Sequence, residues 1–312
     1  MLSLVLAEKI LSLFIIMAMG FALVRSGLMK PELSRGVSLA NLYVITPCMI
    51  ISSFQVTMTS EVVRGFLLAF LAGVIIHALY LALGWLGHKL PFPRFDAVEQ
   101  ASAIYSNAGN LVIPLVVMTL GQDMVIYCTA FVVIQTFLMW SHAKALLRGG
   151  FSRGGIDWRQ ILLSVNMIAI YVGVVLFVTG IRLPGPLADA VSQVGNMIGP
   201  SSMLVTGMIM GGLRLGDLRH FRRLPIVVIA RLVAFPLAAL AILRLTPLCA
   251  LAPNGTSVLL ITLLGASAPS ASTINQMAQI YDRDAGYASA INVATILCCI
   301  VTMPLMVALY QL

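Results

Sequence analysis

Ser106-Asn107-Ala108-Gly109-Asn110-Leu111-Val112-Ile113-Pro114 interrupts a stretch that is otherwise apolar from 101 to 120. Pro114 cannot donate a backbone hydrogen bond, and its ring clashes with the turn before it. Gly109 lowers the cost of unwinding, while Asn107 and Asn110 can bond freed backbone groups or a ligand. A second tract, Gly265-Ala266-Ser267-Ala268-Pro269-Ser270-Ala271-Ser272-Thr273-Ile274-Asn275, has the same character, with hydroxyls in the first turn beyond its proline.

The surroundings of these tracts are those of a membrane protein. Of 312 residues, 60% are hydrophobic and only 10% charged, where a soluble chain carries about 25% charged residues. Mean hydropathy is +1.01. The formal charge of +8 comes from short basic clusters between apolar runs, so membrane topology accounts for it and nucleic acid is not an expected partner. Cys48, Cys128, Cys249, Cys298 and Cys299 show no metal-ligand spacing, so neither a metal site nor a disulfide framework is expected. The N-terminus lacks a basic leader region and a small-residue cleavage site, and the first apolar run reads as a retained span.

A spanning helix needs about 20 mostly apolar residues. Runs of that kind fall near 4–24, 33–54, 63–86, 101–120, 124–143, 161–181, 190–213, 225–243, 255–278 and 286–309. Loops after odd-numbered runs hold Arg25, Lys30, Arg35, Lys89, Arg94, Lys144, Arg148, Arg153, Arg159, Arg214, Arg219, Arg222, Arg223 and Arg283. Those after even-numbered runs hold only Arg64, Arg182 and Arg244. The bias predicts a multi-pass protein of the cell (inner or plasma) membrane with both termini extracytoplasmic. The Gly-rich stretch 144–160 is read as a cytoplasmic linker between halves 1–143 and 161–312, whose odd span number gives them opposite orientations.

The halves echo one another. Asn41 precedes Pro47 as Asn196 precedes Pro200, and the fourth and ninth runs carry the two proline interruptions, each followed by an acidic turn. Inverted repeats with interrupted helices point to a secondary transporter whose site lies where the interruptions meet. The second half of each broken helix would bring a positive dipole end to the midplane, and the first half a negative one, so the lean towards anions is partial. Ordinary proline kinks are the plainer reading of either tract alone.

These elements resemble the auxin efflux carrier family, whose bacterial members include malonate and malate permeases. The resemblance rests on Asn107-x-Gly109-Asn110-x3-Pro114, the Pro269-centred ninth run, Tyr281-Asp282-Arg283-Asp284 and Thr302-Met303-Pro304. Asn41…Pro47 and Pro200…Gly207 agree more loosely. Where the family carries Ser-Thr-Leu in its last span, this chain reads Ala294-Thr295-Ile296, and the long loop of the plant hormone carriers is absent. The resemblance implies an all-α fold of ten spans in two inverted repeats, similar to bile-acid transporters and sodium/proton antiporters. Spans one, two, six and seven would form a scaffold, and spans three to five and eight to ten would carry substrate at the crossing. Homodimers through the scaffold fit the same resemblance.

The expected activity is secondary transport of a small mono- or dicarboxylate, such as malonate, malate or an auxin-like acid, by elevator-type alternating access. The alternative is a sodium-coupled organic anion symporter of the bile-acid type. No cofactor is expected, and no His-Glu-x-x-His or Gly-x-Ser-x-Gly element suggests an enzyme. Candidate substrate-binding residues are Asn41, Asn107, Gly109, Asn110, Pro114, Arg231, Pro269, Ser270 and Ser272. All eleven acidic residues lie at span ends or in loops. Arg231 sits about 10 Å into its span at ~1.5 Å per residue, where it either snorkels to the interface or serves the crossing. His77, mid-span, is a candidate proton relay or a neutral histidine bonded to a neighbouring helix.

Overall fold

The computed structural model describes residues 2–92, 94–149, 159, 162–212 and 221–312. Among them regular structure is helical throughout, apart from one isolated antiparallel bridge between Ser106 and Ser270. In chain order the helices are α1 Leu2–Arg25, α2 Pro31–Ser53, α3 Ser60–Lys89, α4 Ala97–Ile104, α5 Ala108–Leu120 and α6 Gln122–Arg148. There follow α7 Val165–Thr179, α8 Gly185–Asn196, α9 Ile198–Gly212, α10 Leu224–Leu245, α11 Gly255–Ser267, α12 Ser272–Ile280 and α13 Ala285–Gln311. Of these, α2, α3, α6, α10 and α13 are long and apolar enough to cross a membrane, and α5, α7 and α11 are shorter apolar helices. Tyr171, Val172, Val175 and Val178 stand exposed on α7. A helix that leaves such side chains uncovered is solvated by lipid.

In lipid, helices gain nothing from hiding apolar surface, so close backbone approach does the packing. α1 runs along α9 in this way: a Cβ built on Gly207 would fall on the Met17 carbonyl, and one on Gly20 on the Leu204 carbonyl. α8 meets α2 likewise, where a Cβ on Gly195 would lie 2.8 Å from the Met49 Cα. α7 also packs on α2. A second set of contacts joins α3 to α6 and α11, and α13 to α11 and α12.

Among the described residues four turns are wound wide, as π-helix, at Asn41–Ile45, Ala108–Val112, Met139–Ala143 and Ala230–Ala234. Three of them end two residues before a proline, at Pro47, Pro114 and Pro236. The proline ring would strike the carbonyl four residues earlier, and a wider turn moves that carbonyl aside. Pro114 therefore lies within continuous helix, and the unwinding expected around it occurs earlier, at residues 105–107. Gly109 and Asn110 occupy the wide turn that accommodates the proline.

Two boundaries differ from the apolar runs. The fourth helix begins at Ala97, because Asp96 and Glu99 form a reciprocal cap, with Glu99 N–H on Asp96 Oδ1 at 2.8 Å and Asp96 N–H on Glu99 Oε2 at 3.0 Å. Glu99 lies at a helix end, as read, yet is fully buried; its Oε1 accepts from Tyr287 Oη at 2.9 Å and pairs with Arg223 Nε at 2.8 Å. α6, the helix of the fifth apolar run, continues past 143 to Arg148, where Gly149 ends it with φ +95°. Ala145 and Leu147 are buried there, so packing holds a segment assigned to the linker in helix. The rest of that linker except Arg159, with Gly150, Arg153, Gly154 and Gly155, lies outside the described residues, as do Arg214, Arg219 and His220.

Gly207→Val should lower the thermal midpoint in detergent by several degrees, since overpacking against rigid backbone costs about 1–3 kcal/mol. Gly36→Ala, which meets open space, should leave it unchanged. An unchanged midpoint for Gly207→Val would mean that α1 and α9 do not approach so closely.

Candidate functional site

The fourth and ninth apolar runs each leave helical geometry partway along, and the two breaks touch. α4 stops at Ile104, Tyr105 is extended with φ −96° and ψ 129°, and α5 starts at Ala108. α11 stops at Ser267, Ala268 is extended with φ −64° and ψ 156°, and α12 starts at Ser272. Asn107 N–H donates to the Pro269 carbonyl at 2.7 Å, and Ala271 N–H to the Tyr105 carbonyl at 3.0 Å. Each break thus satisfies backbone groups of the other, which a dry interior demands.

The bridging serine of each break is held by a flanking helix. Gln135 of α6 accepts through Oε1 from Ser106 N–H at 3.1 Å and Ser106 Oγ at 2.6 Å, and its Nε2 donates to the Ser106 carbonyl at 2.8 Å. On the other side Asn292 Nδ2 of α13 donates to the Ser270 carbonyl at 2.7 Å, and Ser270 N–H donates to Thr295 Oγ1 at 3.1 Å. On one side the Gln135 carboxamide alone holds both backbone groups of its serine; on the other Asn292 and Thr295 share them.

Arg231 of α10 ties the breaks together. Its Nε donates to the Ala268 carbonyl at 2.9 Å and its Nη2 to the Ala266 carbonyl at 2.7 Å. Its Nη1 reaches the Ala103 and Ile104 carbonyls at 3.1 and 3.2 Å. Tyr80 lies beside it, with ring centre 5.6 Å from the guanidinium carbon and Oη on the Ala266 carbonyl at 3.2 Å. The residue is 0% exposed, so it turns into the protein rather than towards an interface. The carbonyls that it caps close α4 and α11, where helix ends carry about half a negative charge each. No carboxylate pairs with it among the described residues, so its charge offsets those two ends.

A polar cavity of about 180 Å³ adjoins the crossing, lined among others by Asn41, Asn107, Gly109, Asn110, Ser272 and Asn275. Its other polar walls are amides and hydroxyls, including Gln135, Ser202 and Asn292, and among the described residues no lining side chain is charged. Of the residues singled out from sequence, Asn41, Asn107, Gly109, Asn110 and Ser272 come together here. Pro269 and Ser270 form the bridge itself. Pro114 lines a separate, mostly apolar cavity of about 190 Å³ with Ile113, Gly195 and Pro200. Arg231 sits on the four carbonyls rather than on the cavity wall. His77 lines a third, apolar crevice, where its Nδ1–H donates to Gly73 of its own helix at 2.7 Å and its ring lies 4.6 Å from Phe131. No group of three or more His, Cys, Asp or Glu gathers among the described residues.

Gln135 and Asn292 belong to this site and were not among the residues singled out; Thr295, from the altered Ala294-Thr295-Ile296 element, belongs to it as well. The signal was present: Gln135 and Asn292 are carboxamides inside apolar runs, in the fifth and tenth runs respectively. A polar group at such depth marks a partner or a pathway.

A family model described as "membrane transport protein" matches residues 5–150 and 152–307. No curated protein matches the chain. With nearly its whole length covered by that match, the chain belongs to the membrane transport protein family, which is the auxin efflux carrier family.

Proposed function

We propose that this membrane transporter is a secondary carrier of small organic anions, mono- or dicarboxylates such as malonate, malate or auxin-like acids. The observation that carries this is the fourfold carbonyl contact of Arg231. Crossed broken helices bring two positive and two negative ends to one place, which by itself favours neither sign. Arg231 offsets the negative ends of α4 and α11 and leaves the starts of α5 and α12 uncompensated. Each such start favours an anion by up to about 2 kcal/mol when partly buried. A cavity walled by amides and hydroxyls, with no carboxylate to repel the ligand, suits the same substrate.

Movement is proposed to be elevator-like, in a fold of ten spans arranged as two inverted repeats. The packing of α1, α2, α7, α8 and α9 on one another supports a scaffold of spans one, two, six and seven. The contacts among α3, α6, α11, α12 and α13 support a mobile unit that carries the crossing. Ser38 in the first half of α2, Met139 in the second half of α6 and Ser289 near the start of α13 line the polar cavity. All lie on the side of their helices where Lys30, Arg35, Lys144, Arg148 and Arg283 cluster, so the cavity is read as open to the cytoplasm of a cell membrane, with both termini outside.

Uptake of labelled malonate, malate and indole-acetic acid into proteoliposomes should be saturable and stimulated by the same acid on the opposite side. Flux that persists without Na⁺ separates this carrier from a sodium-coupled symporter. Absence of flux for every carboxylate by the folded protein would contradict the proposal. Asn110→Ala should lower uptake by about 10- to 100-fold, the scale of one lost hydrogen bond to a charged group, with the thermal midpoint retained. Wild-type flux in Asn110→Ala would remove that residue from the site. Arg231→Gln should lower both the thermal midpoint and the flux, because four carbonyls lose their donor; wild-type values of both would refute its role at the crossing.

A further inference from the structure

His77 has one ring nitrogen engaged and one free. Its Nδ1 faces the Gly73 carbonyl at 2.7 Å. A carbonyl only accepts, so the proton sits on Nδ1, and the neutral ring leaves Nε2 as an acceptor. Nε2 meets no donor among the described residues, and it is not sealed in: it opens on the apolar crevice between α3, α6 and the start of α7. The rest of the ring is buried, at 2% exposure, against Phe131. The crevice measures about 440 Å³, a size typical of small-molecule sites. Phe70 and Val74 on its wall are exposed, so it opens towards lipid.

The two occupants that the bilayer itself supplies fit poorly. An acyl chain fills the volume but brings no donor, and an acceptor left unpaired in hydrocarbon is costly. A buried water needs several polar partners, and among the described residues His77 is the one polar side chain on the wall. No charged side chain lines the crevice among those residues either, so nothing there would hold an ion. An uncharged, mostly apolar molecule with a hydroxyl or N–H satisfies the walls and the nitrogen together. We infer that the crevice is a binding site for a lipophilic small molecule of that kind, which enters from the bilayer and donates to His77 Nε2.

The site lies behind the crossing. α6 presents Ile134, Phe137 and Leu138 to the crevice, and Gln135 and Met139 to the polar cavity. The Leu138 carbonyl accepts from Oη of Tyr105, in the break after α4, at 3.1 Å. Met167 in the crevice adjoins Asn166 on the cavity wall. An occupant therefore touches the backs of two helices that face the polar cavity without entering it. The inference stands on the crevice alone and is independent of the substrate carried.

Thymol, an alkylated phenol, provides the probe, and p-cymene, which lacks only the hydroxyl, the control, both added to the protein in nanodiscs. In histidine-labelled protein thymol should shift the nitrogen NMR signal of one Nε2, and His77→Phe, which keeps a ring in place, should remove that signal. p-Cymene should displace thymol only at about tenfold or higher concentration in the lipid, the scale of one hydrogen bond. Val74→Trp, which fills the crevice from its exposed wall and keeps His77, should weaken thymol binding by a similar factor, so the outcome does not hang on the folding of His77→Phe. Equal binding of the two compounds, or thymol that leaves every histidine signal in place, would overturn the inference.

Discussion

The constraint on which the structure depends is the need to pair backbone groups where two helices stop inside a dry interior. A helix that ends there exposes carbonyls on one side of the break and N–H groups on the other. The chain satisfies part of this demand by laying the two breaks against each other, through the Asn107–Pro269 and Ala271–Tyr105 bonds. The carbonyl ends need donors, and Arg231 supplies four contacts from one side chain. An ammonium has three donors on a point, whereas a guanidinium presents five in a planar fork, enough to bridge two separate helix ends. The same contacts settle the electrostatics: capping the carbonyls spends the cation on the negative ends and leaves the opposite ends to the cavity.

Helix geometry around the crossing has been adjusted rather than broken further. Wide turns precede Pro47, Pro114 and Pro236 and let each proline remain in its helix. Two of these turns also place functional candidates: the one before Pro114 holds Asn110, and the one before Pro47 begins at Asn41. The turn before Pro236 contains Arg231. In this way a local steric problem becomes the means by which three polar side chains reach the centre of the molecule.

Much of this was legible beforehand, and for a physical reason. In a bilayer the background is apolar, so the polar tracts at 106–110 and 267–273 stand out, and they do meet. Residue type also marked Asn107, Asn110 and Asn41, which share the cavity. Proline position was a poorer guide, because a proline can be absorbed by a wide turn; Pro114 therefore belongs to another cavity. Depth along a helix placed Arg231 but not its direction, which depends on where the carbonyls of α4 and α11 end. Gln135 and Asn292 stood out as carboxamides inside apolar runs, but their role was not legible, because only the crossing shows that each holds a serine of the breaks. The extension of α6 to Arg148 was invisible for the converse reason: Lys144 and Arg148 read as loop charges, whereas tertiary packing keeps Ala145 and Leu147 buried.

The central claim is that an anion is held by the helix starts at the crossing, with Arg231 acting from behind through the backbone. A structure determined with malate at saturating concentration tests it most directly. The account predicts a carboxylate against the first turns of α5 and α12, near Asn110 and Ser272, with Arg231 still bonded to its four carbonyls. An acid bound directly to the Arg231 guanidinium, or lodged in the apolar cavity beside Pro114, would contradict it.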